Sequence, residues 1–158
     1  MGWELAQLNL ARPLEPLDSP RLADFVANLE RINALAESSD GFAWRLKDEA
    51  GEAEAARVFP GALVNLSVWR DLESLRLFVY QSAHVEIMRR RREWFEKMAE
   101  AMVVLWWVPA GHRPDAAEAE ARLLHLRQHG PTAVAFTFQK AFEPAASPRP
   151  QPAEPLPR

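Results

Sequence analysis

Two kinds of periodicity follow one another along this chain in an order that few folds can accommodate. Apolar and polar residues alternate with the two-residue period of strands in four segments, residues 3–11, 42–47, 62–69 and 103–108. Apolar residues recur at helical spacing in three segments, residues 20–40, 71–102 and 115–129. The order β-α-β-β-α-β plus one further helix predicts an α+β, ferredoxin-like fold.

The stretches between these elements have less regular patterns. Residues 48–57 are charged and contain Gly51, which predicts a hairpin loop between the second and third strands. The apolar spacing of residues 71–102 restarts near Ser82, so we expect a bend or break in that helix. Residues 133–138 alternate weakly and are predicted as a short edge strand.

The faces of the predicted strands also bear on assembly. Ferredoxin-like folds carry their helices on one face of the sheet, and we expect the aliphatic face to be the one covered. The opposite face carries Leu63 and Trp69, which would leave an apolar patch in water. A second copy packed face to face would cover it, so the sequence predicts a twofold homodimer that forms an α/β barrel.

Composition excludes several function classes. The chain has 158 residues, enough for one domain with its own core, and no cysteine, so disulfides and thiolate chemistry are impossible. The formal net charge of -3 disfavours nucleic acid as a partner. No signal peptide and no membrane span is predicted, so we expect a cytoplasmic protein. Residues 1–142 are predicted as a single domain and residues 143–158 as a Pro-rich disordered tail.

Several motifs resemble a known family. They are Val68-Trp69-Arg70-Asp71, Ser82-Ala83-His84, the run Arg89 to Phe95, Trp106 to His112, and His129-Gly130-Pro131-Thr132. Together they resemble the domain-of-unknown-function family 3291 over about residues 3 to 140. That family is grouped with the dimeric α/β-barrel superfamily, which includes antibiotic-biosynthesis monooxygenases and haem-degrading enzymes. The resemblance therefore implies the barrel fold and the dimer, and it implies chemistry far less.

A row of polar side chains on the predicted strands is the strongest candidate for a ligand site. Gln7, Asn9, Asn65 and Ser67 fall on the face opposite the aliphatic one, and Trp69 closes the row. Amides are poor strand formers, so some contact must compensate for their placement. They either line a cleft and bind a small molecule, or bond across the dimer or to water; buried amides need partners in each case.

His84 is the candidate acid–base residue because an unperturbed imidazole titrates near physiological pH. It lies at the predicted helix break, where it either faces the cleft, as a base or haem ligand, or satisfies loose backbone groups. In haem-degrading relatives the ligand histidine lies about one turn further along, where this chain has Met88. Haem is therefore one possible cofactor, and a reaction that requires no cofactor is the other.

Two further side chains are assigned to the predicted site. Arg91 falls on the apolar stripe of the predicted helix, so it forms either an internal salt bridge or a clamp for a substrate carboxylate. Tyr80 either adds a hydroxyl to the cleft or packs as an amphipathic side chain. His125 and His129 have i, i+4 spacing but no evident third ligand, so no metal site is predicted.

These residues leave three function classes open. The first is a monooxygenase-like enzyme for an aromatic or planar organic substrate, with His84 as its acid–base residue. The second is a haem-binding protein. The third is a non-catalytic module that binds a small molecule. The sequence does not decide whether the protein is an enzyme.

Overall fold

The computed structural model describes residues 2–80, 82–98 and 100–145. This part of the chain forms four strands and six α-helices, with a short 3-10 turn (Pro20–Leu22) before the first helix. In chain order the elements are β1 (Trp3–Ala11), α1 (Ala23–Ser38), β2 (Phe42–Arg45), α2 (Glu49–Val58), β3 (Leu63–Trp69), α3 (Leu72–Val79), α4 (Ser82–Arg89), α5 (Arg91–Trp94), β4 (Val103–Pro109) and α6 (Ala116–His129). None of these helices combines the length and apolar character that crossing a bilayer requires.

The four strands form one antiparallel sheet in the order β2-β3-β1-β4. This is the strand order of the split βαβ, ferredoxin-like fold, so the predicted fold class is confirmed. Across β1 and β3, Leu5 lies opposite Trp69, and Asn9 lies opposite Asn65. Because side chains alternate between the faces of a sheet, this register places the polar row on one face, as predicted.

Helices α2 and α6 cover the aliphatic face of the sheet. The largest core cluster of the described residues joins that face to Ala55 of α2 and to the inward side of α6. Its fully buried members from the sheet and α6 are Ala6, Leu8, Val68, Val104, Trp106 and Ala119. The long alternating strands supply one side of this core, and the apolar stripe of α6 supplies the other.

Helices α1 and α3 cover the opposite face, which carries the polar row. Trp69 is 1% exposed and clusters with Ala36 of α1 and with Leu75 and Phe78 of α3. The prediction that a second copy shields this face, with the helices on the aliphatic side, is therefore wrong. The chain has two pairs of covering helices, because the segment between β2 and β3 and the C-terminal helix supply the second pair. The homodimer remains a prediction, because the sheet face that it was expected to shield is packed against described helices of the same chain.

The segment between β2 and β3 is a helix and not the predicted hairpin loop. Asp48 caps α2 by accepting a hydrogen bond from the backbone N–H of Gly51 at 2.9 Å. Acidic residues in the first turn favour the helix N-terminus, and Ala55 is buried against the core. The sequence analysis overvalued the charge of residues 48–57 and missed the cap.

The predicted long helix over residues 71–102 is three short helices. A break follows α3 at Tyr80, as the prediction of a bend near Ser82 anticipated, and a second break lies at Arg90, where φ is −91° and ψ is 1°. The extended backbone at Phe95 ends α5. Each break changes the direction in which later side chains point, so the predicted stripe does not continue past Arg90.

The segment after α6 packs against the sheet without forming the predicted edge strand. Phe136 makes an isolated bridge with Leu105 of β4. The indole of Trp3 donates a hydrogen bond to the carbonyl of Ala145 at 2.8 Å, within the stretch predicted as tail. The rest of that predicted tail, residues 146–158, lies outside the described residues.

Candidate ligand-binding site

A buried hydrogen-bond chain links the inner half of the polar row. The indole Nε1 of Trp69 donates to Oγ of Ser67 at 3.1 Å, and Oγ of Ser67 donates to Oε1 of Gln7 at 3.2 Å. Ser67 is 4% exposed and Gln7 is 9% exposed. These hydrogen bonds satisfy the Trp69 indole N–H and the Ser67 hydroxyl within the protein, so these two predicted ligand residues are held in place by buried contacts of the chain itself.

The outer half of the row is open. Asn9 is half-buried, and its cross-strand neighbour Asn65 is exposed. Neither amide side chain bonds to another described residue. Directly paired residues have Cβ atoms about 4.5–5.5 Å apart, so the two amides together offer several donors and acceptors to one ligand. The structure thus brings the two predicted asparagines together at the solvent end of the row.

An aromatic line runs from the row to His84. Trp69 lies between Phe42, in edge contact at 5.4 Å, and Phe78, stacked at 5.1 Å. The edge-to-face contact of Phe78 with the imidazole of His84 has a centroid separation of 5.1 Å. Sequence analysis placed Phe78 on the apolar face of its helix but did not identify this role, because the contact depends on the break after α3.

His84 is half-buried in the first turn of α4. Its Nδ1 lies 2.9 Å from the carbonyl oxygen of Val79, near the end of α3. A carbonyl only accepts, so Nδ1 carries the proton and the neutral ring has its lone pair on Nε2. Burial lowers the pKa of His84 below the usual 6.5, against the opposing effect of the Val79 hydrogen bond. His84 therefore satisfies a helix-end carbonyl, as one of the two alternatives predicted, and its Nε2 has no hydrogen-bond partner among the described residues.

Two predicted site residues lie outside this arrangement. Tyr80 is 68% exposed at the end of α3, so it does not contribute a hydroxyl to a cleft. Arg91 is exposed as well, because the break at Arg90 rotates it off the apolar stripe. The prediction of a buried Arg91 is wrong.

Arg90 makes the contacts that the sequence analysis assigned to Arg91. Its guanidinium donates to Asp24 of α1 at 2.9 Å and to Glu93 at 3.0 and 3.1 Å, and it lies 4.6 Å from the ring centroid of Trp94. These hydrogen bonds, Glu93 first, raise the pKa of Arg90. The i, i+3 spacing of Arg90 and Glu93 was the sequence signal that could have predicted this ion pair. Through Asp24, Arg90 also links the α4–α5 junction to α1.

The other histidines lie elsewhere. His112 Nε2 is 2.6 Å from Glu118, whose other oxygen accepts from the indole of Trp106 at 2.9 Å. His112 therefore bonds locally near the start of α6. His125 and His129 have ring centroids 4.5 Å apart. Within the described residues no group of three or more histidines or carboxylates could hold a metal ion.

The helices leave the outer end of the row uncovered. Helix α1 follows β1, so its N-terminal half starts beside the edge where Asn9 lies. Leu29 and Ile32 of its apolar stripe are only half-buried, whereas Ala36 near its other end is buried. The row thus has a buried inner half at Ser67 and Trp69 and, at its outer half, two amides that bond to no described residue.

The fold defines a class: α+β, ferredoxin-like proteins with one four-stranded antiparallel sheet. The sequence matches the family described as Domain of unknown function (DUF3291) over residues 4–152. The chain belongs to that family, which confirms the resemblance noted in its motifs. The match extends past residue 142, where the sequence analysis ended the domain.

Solved structures of similar fold come from several organisms. A conserved protein from Methanosarcina mazei Go1 is 14% identical, with a TM-score of 0.46, over 65% of this chain and 90% of that chain. SnoaB, a cofactor-independent oxygenase from Streptomyces nogalater, is 16% identical, with a TM-score of 0.42, over 69% and 94%. A protein of unknown function from Nitrosomonas europaea is 16% identical, with a TM-score of 0.46, over 71% and 95%. No curated protein matches the sequence significantly.

Proposed function

We propose that the outer end of the polar row, at Asn9 and Asn65, forms a cleft that binds an aromatic or planar organic molecule, and that His84 acts on this molecule as a general base. The observation that carries this proposal is the state of the imidazole: Nδ1–H is tied to Val79, so Nε2 is left as an acceptor. The lowered pKa keeps the ring neutral at pH 7, which a base requires. The edge-to-face contact of the imidazole with Phe78 also provides an aromatic neighbour for a flat ligand.

The position of His84 relative to the amides supports the same proposal. Helix α3 follows β3 through a two-residue turn and packs back along it. Its eight residues span about 12 Å, and the four residues from Trp69 back to Asn65 span about 13 Å. We therefore expect the end of α3, and with it His84, to lie level with the outer end of the row. Asn9 and Asn65 would hold polar substituents of the ligand there.

The reaction we propose is oxygenation without a metal. Nε2 of His84 takes a proton from an activated C–H of an electron-rich substrate. The carbanion is oxidised by O2 to a hydroperoxide, which loses water to give a carbonyl. One oxygen atom enters the product and the other leaves as water. SnoaB is a cofactor-independent oxygenase, but the proposal for this chain rests on its own cleft.

An anthrone with peri-hydroxyl groups is a suitable probe, because it is flat, acidic at one carbon and reactive with O2 once deprotonated. We expect the protein to accelerate its oxidation to the anthraquinone, followed by absorbance and oxygen uptake. His84→Gln should lower kcat by about 10²–10⁴-fold, and Asn65→Ala should mainly raise KM. Arg89→Gln, an exposed substitution on the same helix as His84, is the matched control. If His84→Gln oxidises the anthrone as fast as the control variant does, His84 is not the general base.

A separate observation favours haem binding as the second candidate. Metal-ligating histidines usually donate their other ring N–H to a carbonyl or carboxylate, as His84 does to Val79. Met88, at the position of the ligand in haem-degrading relatives, is 39% exposed and is not a histidine. Hemin added to the protein should give a Soret shift that disappears in His84→Ala. If hemin gives no Soret shift at a stoichiometric concentration of protein, the haem-binding function is rejected.

The homodimer and the non-catalytic module are tested alongside. Light scattering after gel filtration should give twice the chain mass if the proposed homodimer forms. A cleft that binds the anthrone tightly and yields no product over long incubation would identify a binding module instead of an enzyme.

A further inference from the structure

A second cavity lies on the other side of the sheet from the amide row. Its volume is about 350 Å³, and its walls come from the end of β1, the end of α2, the segment before β4, and α6. The apolar lining includes Leu10, Phe59, Met98, Met102 and Leu123. Asn9 and Leu10 are consecutive in β1 and so point to opposite faces. The two sites are therefore separate.

Charged side chains complete the wall of this cavity. Arg127 is fully engaged: it donates to the carbonyl of Ala101 at 2.7 and 3.0 Å and pairs with Glu100 at 3.2 Å. Arg12 is half-buried and donates to the carbonyl of Pro60 at 3.0 Å. It forms no ion pair with any residue of the described chain. A carbonyl carries no formal charge, and no described carboxylate pairs directly with the guanidinium of Arg12, which lies beside the apolar part of the cavity.

We propose that this cavity binds a small aliphatic monocarboxylate, with its carboxylate on Arg12 and its hydrocarbon chain on the apolar wall. A guanidinium matches a carboxylate in shape and charge, and its bond to Pro60 holds it in place before the ligand arrives. The volume is at the lower end of the range for ligand pockets, about 300–1,000 Å³. A medium-length chain therefore fits, and Met98 and Met102 can adapt to its shape.

Under the same proposal, Glu120 would influence the orientation of the ligand. It is half-buried on α6, lines the same cavity and pairs with no cation among the described residues. Seven residues, or about 10 Å along the helix axis, separate it from Arg127. Its negative charge repels a carboxylate, so the headgroup stays on Arg12 and the chain extends across the cavity.

Calorimetric titration of the full chain with octanoate tests this proposal. We expect one saturable site, and affinity that rises about fourfold for each added methylene from hexanoate to octanoate. Arg12→Gln should weaken binding by about tenfold to a hundredfold. Arg57→Gln is the matched control: an exposed arginine on α2, next to the cavity residue Val58. Glu120→Gln should leave the affinity equal or raise it.

A steric variant decides the question independently of the charge. Leu124 is 52% exposed and lines the cavity, so Leu124→Trp should fold and obstruct octanoate. The proposal is overturned by absence of saturable binding, by unchanged affinity in Arg12→Gln or Leu124→Trp, or by tighter binding of octylamine than of octanoate. Asn65→Ala should leave octanoate binding unchanged, which separates this site from the cleft.

Discussion

Replacing Ser67 with alanine is expected to destabilise the protein by about 2–4 kcal/mol, which is large for the loss of one oxygen atom. The hydroxyl accepts from Trp69 and donates to Gln7, and all three residues are buried. Alanine leaves the indole N–H without a partner at a residue that is 1% exposed. A buried donor left unsatisfied costs about 1–3 kcal/mol, and the second lost bond adds about 1 kcal/mol.

Urea unfolding measures this cost directly. With an m-value of about 2 kcal/mol/M, the midpoint should fall by about 1–2 M and the slope should not change. Ser38→Ala is the control: the exposed hydroxyl of Ser38 donates to the carbonyl of Leu35 at 3.1 Å. Its loss should cost no more than about 0.5 kcal/mol.

A double-mutant cycle identifies which bond carries the energy. Trp69→Phe keeps an aromatic ring next to Phe78 but removes the indole donor. In that background Ser67→Ala should cost only about 1 kcal/mol, because no donor is left unsatisfied. If Ser67→Ala costs the same in both backgrounds, the indole–hydroxyl bond contributes nothing and the reasoning about an unsatisfied buried donor is refuted.

Other substitutions test separate parts of the structure. Burial lowers the pKa of His84, so the unfolded chain takes up the proton first as the pH falls. The free energy of unfolding should not depend on His84 above about pH 6.5, should fall between pH 6.5 and the lower pKa of the folded state, and should level off below it. His84→Gln should lose that part of the pH profile when unfolding is measured at a series of pH values. Asp115 caps α6 by accepting from the backbone N–H of Glu118 at 2.9 Å, so Asp115→Ala should cost about 1 kcal/mol in thermal unfolding. Tyr80→Ala and Arg91→Ala should each change the free energy of unfolding by less than about 0.5 kcal/mol. A larger loss of stability in either variant would mean that its side chain is buried, contrary to the structure.

Local pattern was enough to predict the strands and their two faces. The alternation in β1 and β3 places Asn9 and Asn65 on the same side whatever surrounds them, because the side-chain period of a strand is two. It also places Ser67 and Trp69 beside Gln7. The helix break near Ser82 and the position of His84 at that break were readable for the same local reason.

The covering of the sheet was not predictable from these patterns. An alternating strand reveals that its faces differ, but not which helix packs on which face. Helix α2 was missed as well, since its cap at Asp48 is a weak local signal and its stability comes from packing Ala55 into the core. Without α2 and α6 on the aliphatic face, the sequence analysis left one face open and assigned it to a second copy.

The sequence by itself determined the order of the elements along the chain, the two unlike faces of each strand and the family, because alternation and motifs belong to short segments of the chain. Only the tertiary structure decided that α1 and α3 cover the row, that Arg90 and not Arg91 is anchored, and that Nε2 of His84 is free. Each break in residues 72–94 resets a helical phase of about 100° per residue. A prediction that assumes one continuous helix therefore assigns the wrong direction to side chains after each break. In the folded protein, packing against the sheet fixes that direction.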